Sequence, residues 1–214
     1  MSQIRLVVFD MDGTIIEPRS SWAMIHEHFG TDNTEMLQMY IDHKISDKEF
    51  VKADIELWNS KSDKQVDEEY INSILDQAKP RKGAEELISS LHKANIKTVI
   101  LSGGIQYLAD KWAKKWNMDD ALANDLIDDK NGNLTAVIKS SGHNKGPVME
   151  KMIEKYKCSK NEIAAIGDTV VDIPTFERAG LSIAVNTEDK RVISKANYHL
   201  KGDLSELKEL ILNW

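Results

Sequence analysis

A single cysteine, Cys158, stands in 214 residues, so the chain cannot close a disulfide on itself and offers no cysteine cluster for zinc. That usage predicts a reducing compartment, the cytoplasm. Basic side chains are also scarce: 28 Lys and Arg face 35 Asp and Glu, a net charge of −7. Affinity for nucleic-acid backbones or anionic lipid draws on a basic excess, because releasing counterions supplies much of it, so neither is an expected partner. No apolar run approaches the roughly 20 residues of a membrane span. The N-terminal residues pass at once into a short apolar strand, far short of a secretory leader. Internal repeats, low-complexity tracts and long Pro/Gly linkers are missing, with only 4 prolines and 11 glycines. The 41% of hydrophobic residues is enough for a core, and the length predicts one large domain or a domain plus an insertion.

Three apolar runs, 4–9, 97–101 and 163–166, each lead into a loop of small or acidic residues and then a helical pattern. Buried parallel strands of an α/β sheet read this way. Residues 181–185 and 197–200 extend the series. Amphipathic stretches at 83–94, 106–117, 145–156, 173–179 and 203–212 are expected on both faces of the sheet through right-handed crossovers. The fold class is therefore α/β, a Rossmann-like parallel sheet flanked by helices. Asn131-Gly132-Asn133, ahead of 135–139, predicts a small β-hairpin decorating that core. Residues 16–79 break the alternation, with apolar residues at helical spacing and no convincing strand. They are expected to form a small helical cap inserted after the first strand, with 1–15 and 80–214 making the catalytic core. The cap holds 7 basic and 14 acidic side chains and the core 21 of each, so the whole charge excess belongs to the cap. An acidic lid would disfavour polyanionic substrates if its carboxylates face the cleft.

Ligands of an open parallel sheet bind beyond the carboxyl ends of its strands. After the first strand comes Asp10-Met11-Asp12-Gly13-Thr14, and after the second Ser102-Gly103-Gly104, whose hydroxyl and unshielded N–H groups suit an anion. After the third comes Gly167-Asp168-Thr169-Val170-Val171-Asp172, and Lys145 opens the helix before it. Any one of these is innocuous alone, since an aspartate after a strand is an ordinary turn former or helix cap. Their conjunction is not. Four carboxylates at one sheet edge repel one another unless a cation sits among them, and oxygen ligands of this kind suit a hard divalent ion, most plausibly Mg2+. Lys145 can neutralise what remains.

The order Asp-x-Asp-Gly-Thr, Ser, Lys, Gly-Asp-x-x-x-Asp resembles the haloacid dehalogenase superfamily of phosphotransferases, all four of whose motifs occur in sequence. The insertion after the first motif, Leu101-Ser102-Gly103-Gly104, Ala123-Asn124 before the hairpin, and Lys145-Gly146 look most like its phosphoserine phosphatase branch. The resemblance implies Mg2+-dependent hydrolysis of a small phosphomonoester through an aspartyl-phosphate. Asp10 would be the nucleophile, and Asp12 would protonate the leaving alkoxide and then activate water. Ser102, Gly103, Gly104 and Thr14 would hold the substrate's phosphate, with Lys145 balancing its charge. Asp10, Asp168 and the backbone carbonyl of Asp12 would ligate Mg2+, and Asp172 would orient Lys145 or a metal-bound water from behind. The expected partner is a small phosphorylated metabolite, and the expected assembly a monomer or homodimer.

The sequence departs from that branch where the substrate's amino acid is recognised. The cap glutamate nine residues after the nucleophile is Arg19 here, the cap arginine aligns with Asp54, and Val171 replaces the Asn before the last aspartate. These departures leave the phosphoryl-transfer core intact and weaken phosphoserine as the substrate, although a reversed pair, Arg19 with Asp54, could still grip a zwitterion. Trp112, Trp116 and Trp214 read as core or helix packing, as do Trp22 and Trp58, which could alternatively line the cleft from the cap. His26, His28 and His43 show no transition-metal spacing. Two alternatives remain open. A phosphosugar mutase shares the covalent chemistry but excludes water, and a phosphate-accepting signalling module also clusters carboxylates, a hydroxyl and a lysine, although it keeps its acceptor aspartate in mid-chain.

Overall fold

A computed structural model describes residues 3–140 and 144–214. Its centre is a seven-stranded sheet in the order β4-β3-β2-β1-β5-β6-β7, formed by β1 (Leu6–Phe9), β2 (Lys97–Ile105), β3 (Asp120–Asp128), β4 (Leu134–Val137), β5 (Ile163–Gly167), β6 (Leu181–Val185) and β7 (Tyr198–Leu200). All neighbours run parallel except β3 and β4, which pair antiparallel. The central strands β1, β5 and β6 are buried at every position, which is why they lack polar alternation in sequence.

Alternate residues of β1 feed two separate cores. Val7 and Phe9 join Leu87, Leu108 and Ile211 on one face, where α5 (Ala84–Lys93), α6 (Gln106–Lys115) and α10 (Leu207–Leu212) pack. Leu6 and Val8 join Met149, Met152 and Phe176 on the other, beneath α7 (Lys145–Tyr156) and the short α8 (Ile173–Phe176). The period-two geometry of a strand makes this division, and covering both faces removes the apolar surface of the sheet from water. A short α9 (Lys190–Ile193) links β6 to β7.

Between β1 and α5 lie α1 (Ser21–Phe29), α2 (Thr34–Ile41), α3 (Asp47–Lys61) and α4 (Glu68–Leu75). Side-chain caps start three of them: the Ser20 hydroxyl accepts from the Ala23 N–H, Ser46 and Glu49 form a capping box, and Asp67 accepts from the Tyr70 N–H. The chain enters and leaves this helical segment along paired linkers. Ile16 bridges Pro80, Glu17 N–H donates to the Lys79 carbonyl (2.9 Å), and Arg81 N–H donates to that of Ile15 (2.9 Å).

Strand β3 is absent from the sequence reading, because Asp120, Asn124 and Asp125 interrupt its apolar residues. It inserts beside β2, and the hairpin expected as an ornament is thereby part of the main sheet, turning at Gly132 with φ +76. The helices expected over 173–179 and 203–212 are shorter, and Trp214 is exposed rather than packed. No helix among the described residues is long and apolar enough to cross a membrane.

Leu87 sits fully buried on α5. Leu87→Ala should lower unfolding free energy by about 2–5 kcal/mol, the transfer term plus the cavity it leaves. Equilibrium denaturation reads this, and a loss well under about 1 kcal/mol would remove Leu87 from the core.

Candidate active site

The motifs meet at the carboxyl ends of β1, β2 and β5. Asp10 follows β1, and its N–H donates to the Ile166 carbonyl (2.8 Å), which ties it to the end of β5. The loop over Met11–Ile15 then turns sharply at Gly13, φ +72, where a Cβ would overlap the Asp168 carboxylate. Lys145, at the start of α7, is only 2% exposed and donates to Asp10 Oδ1 (2.6 Å) and Asp172 Oδ1 (2.5 Å). Asp172 is held in turn, its Oδ2 accepting the Asp168 and Thr169 N–H groups (3.0 Å each).

Three of the four expected carboxylates converge: oxygens of Asp10, Asp168 and Asp172 lie within 4.8 Å of one another. The fourth turns away. Asp12 Oδ2 accepts from the Ser21 N–H (2.7 Å) and hydroxyl (2.8 Å) at the start of α1, while its Oδ1 is buried with no partner among the described residues. Thr14 is placed differently from the expectation too. It is fully buried under Asp168, to whose Oδ1 its hydroxyl donates (3.1 Å), so it steadies a carboxylate and does not line the cleft.

These surroundings set the charges. Burial raises the Asp10 carboxyl well above its usual range, against the pull of Lys145 and with added repulsion from Asp172 and Asp168. Burial likewise raises Asp12, opposed by its bonds from Ser21. Burial and the nearby Asp172 push Asp168 up to about 7. Burial alone would lower the Lys145 ammonium, but the attraction of Asp10 and Asp172 overrides it and leaves Lys145 raised. Three carboxylates against one ammonium leave a formal −2, and all the candidate donors are hard oxygens, so the cluster fits a divalent ion such as Mg2+.

Opposite this cluster, Ser102, Gly103 and Gly104 end β2 at a register irregularity after Leu101. The Gly104 N–H is already given to Ser102 Oγ (3.1 Å), which leaves the Ser102 hydroxyl proton for a ligand. A Cβ at Gly104 would crowd Asp12, Ser21 and Met11, so close packing holds the two loops together.

Two supporting residues, Arg81 and Ser21, have no site role in the sequence reading, and Trp22 and Asn124, named there, make contacts it does not foresee. Arg81 donates to the Gly13 (2.7 Å) and Thr14 (3.1 Å) carbonyls, bracing the Asp10 loop from the exit linker. Trp22 Nε1 (3.1 Å) and Asn124 Nδ2 (2.9 Å) both donate to the Gly103 carbonyl, and Ser21 holds Asp12. Only Asn124 left a local signal, as a polar residue inside an apolar run; the others act across loops that sequence spacing does not join.

A cleft of about 630 Å3 opens over Asp10, Asp12, Ser102 and Gly103. Arg19 lines it from the helical side. Asp54 does not: it is fully buried among α1–α3, 3.3 Å from His26 Nε2 and accepting from Asn33 Nδ2 (3.1 Å). The reversed pair Arg19 with Asp54 is therefore not assembled, because Asp54 serves the interior of the helices. Trp22 reaches the cleft, whereas Trp58 is buried behind it, with ring centroids 6.2 Å apart. Among the acidic residues of 16–79, only Asp47 lines the cleft, so the expected acidic lid over the site is not formed.

Residues 4–180 match the profile of the haloacid dehalogenase-like hydrolases. A phosphoserine phosphatase of Archaeoglobus fulgidus is 31% identical over 86% of this chain, which spans about half (53%) of that relative's length. One of Methanocaldococcus jannaschii is 26% identical over 84% of both chains. A solved substrate-bound phosphoserine phosphatase superposes with a TM-score of 0.80 at 25% identity, covering 99% of this chain and all of the other.

A carboxyl raised to about 7, against roughly 3.9 in an unfolded chain, contributes stability that is full below about pH 4 and is lost as pH rises through 7. Without metal, the thermal midpoint should therefore fall between pH 5 and 8, and Asp168→Asn should flatten that fall. Added Mg2+ should raise the midpoint more at pH 8 than at pH 5.5, since protons compete for the carboxylates. An equal Mg2+ effect at both pH values would refute this assignment.

Proposed function

Because the chain belongs to the haloacid dehalogenase-like hydrolases, we propose that it is a Mg2+-dependent phosphomonoesterase that hydrolyses a small phosphorylated metabolite through an aspartyl-phosphate. The kinship with phosphoserine phosphatases supports this reaction class. The observation that carries it is the division of labour between two aspartates two positions apart: Asp10 is fixed on Lys145, while Asp12 is withdrawn onto Ser21.

In this reading the Asp10 carboxylate attacks phosphorus, held in place by the Lys145 ammonium, which also lessens charge on the transferring group. Asp12, whose raised pKa keeps a proton available, gives it to the departing alkoxide. Once the alcohol has left, the Asp12 carboxylate takes a proton from water, which attacks the phosphorus of the aspartyl-phosphate and returns Asp10 free. The Ser102 hydroxyl and the Gly103 backbone hold non-bridging oxygens. Bound at Asp10 and Asp168, Mg2+ would supply further charge neutralisation on the phosphoryl oxygens. Arg81, Asp172 and Thr14 position these groups and touch no substrate. The helices over 16–79 act as a cap that keeps bulk water from the acyl phosphate until the alcohol has gone.

Asp10→Asn should abolish phosphate release from a generic phosphomonoester. Asp12→Asn should slow it by about 10²–10⁴-fold, the usual worth of general acid–base catalysis, and chelation of Mg2+ should halt the wild type. Undiminished turnover by Asp10→Asn would overturn the nucleophile assignment.

A further inference from the structure

Resting on the phosphatase reading, the cleft says what kind of alcohol the phosphate is attached to. Its catalytic floor is polar, but the wall beyond it is built from Trp22, Leu37, Tyr40, Phe50, Ile138 and Val170. Tyr40 of α2 and Phe50 of α3 stack on one another with centroids 4.9 Å apart and planes 10° off parallel, and both line the cleft. Leu37, on α2, is 41% exposed, and Val170, in the loop after β5, is 37% exposed. Large side chains left open to water on two walls of one cleft gain free energy only when something apolar covers them.

The charged groups of the wall point the same way. Asp47 accepts the Tyr40 hydroxyl (2.7 Å), and Arg191 is engaged by both oxygens of Asp189. Arg19 lines the cleft and forms no ion pair among the described residues, unlike Arg191, and its neighbours Pro18 and Ser21 are bonded to Gly13 and Asp12. An amino-acid head group would need a carboxylate for its ammonium; the buried Asp54 cannot provide one, and Asp47, the one cap carboxylate that lines the cleft, already accepts the Tyr40 hydroxyl. A volume of about 630 Å3 also lies within the roughly 300–1,000 Å3 of sites that enclose ligands of drug-like size.

We propose that the substrate is the phosphomonoester of a ring-bearing alcohol, its apolar ring held between the Tyr40–Phe50 stack and Leu37 with Val170, and an anionic or acceptor oxygen carried by the ring met by Arg19. The ring contacts are made equally in the bound ester and in the transition state. They therefore act chiefly on KM.

Turnover of 2-phenylethyl phosphate, n-propyl phosphate and phosphoserine compares alkyl leaving groups, so that intrinsic reactivity does not decide the result. The phenyl ester should show kcat/KM at least tenfold above the propyl ester, mostly through KM, and should exceed phosphoserine. Leu37→Ser or Phe50→Ala should bring the phenyl-to-propyl ratio near one; Leu37 is exposed enough for the first variant to fold. A carboxylate added at the para position of the ring should improve kcat/KM further, and Arg19→Ala should remove that increment. A ratio near one in the wild type, or a preference for phosphoserine, would overturn the proposal. Calorimetric titration with 2-phenylethylphosphonate and propylphosphonate reads the cleft without turnover. Binding of the phenyl compound at least tenfold tighter supports the proposal even if no ester is hydrolysed, which would then refute only the phosphatase reading; equal binding refutes the proposal itself.

Discussion

The site depends on one buried ammonium. Lys145 is almost wholly removed from water, a position that desolvation would forbid to an unpaired charge, and it persists because Asp10 and Asp172 both reach it within 2.6 Å. Those carboxylates come from the ends of two neighbouring strands and the lysine from the first residue of α7. The sheet order that sets β1 beside β5 is therefore also what makes the charge tolerable. With Asp168 alongside, the cluster carries formally two negative charges more than its lysine can answer, and its fit to a divalent cation follows from that balance rather than from any single ligand.

The second constraint is that the nearby Asp12 be kept out of this cluster. Ser21 does so from the start of α1, and the Trp22 side chain that follows it donates to the Gly103 carbonyl in the phosphate-facing loop. Successive residues of one helix thus set both the proposed proton-transfer group and the loop across from it. The helical segment is consequently part of the chemistry's geometry, and its orientation over the sheet is registered in the hydrogen bonds of Asp12 and Gly103.

The fold and the catalytic floor were legible because they obey short-range rules. Uniformly buried strands show as unbroken apolar runs, and ligands of such a sheet bind just past their carboxyl ends. Strand β3 was hidden because its neighbour β4 and the turn at Gly132 let polar residues such as Asn124 and Asp125 serve the hairpin and the Gly103 loop. The fate of Asp54 and Thr14 was unreadable for a different reason. Their positions are decided by helix packing and by a contact 154 residues away, which composition and spacing do not encode. Arg81 lies just past the end of the helical segment, with no sequence signal for its place, yet it braces the loop that carries Asp10 and Asp12.

The paired linkers at Ile16 and Pro80 have a consequence for how such a molecule can diversify. Entry and exit lie side by side, so the intervening helices form an appendage joined to the sheet covalently at one place, its other ties being side-chain contacts such as those of Trp22 with Gly103, Asp76 with Tyr107 and Lys111, and Glu68 with Asp128. Its length and sequence can drift, or be exchanged for another module, without altering strand order, provided the contacts of Ser21 and Trp22 are supplied again. Chemistry and selectivity are thereby placed under separate inheritance: the sheet edge conserves a reaction, while the appendage is free to explore new molecules on which to perform it.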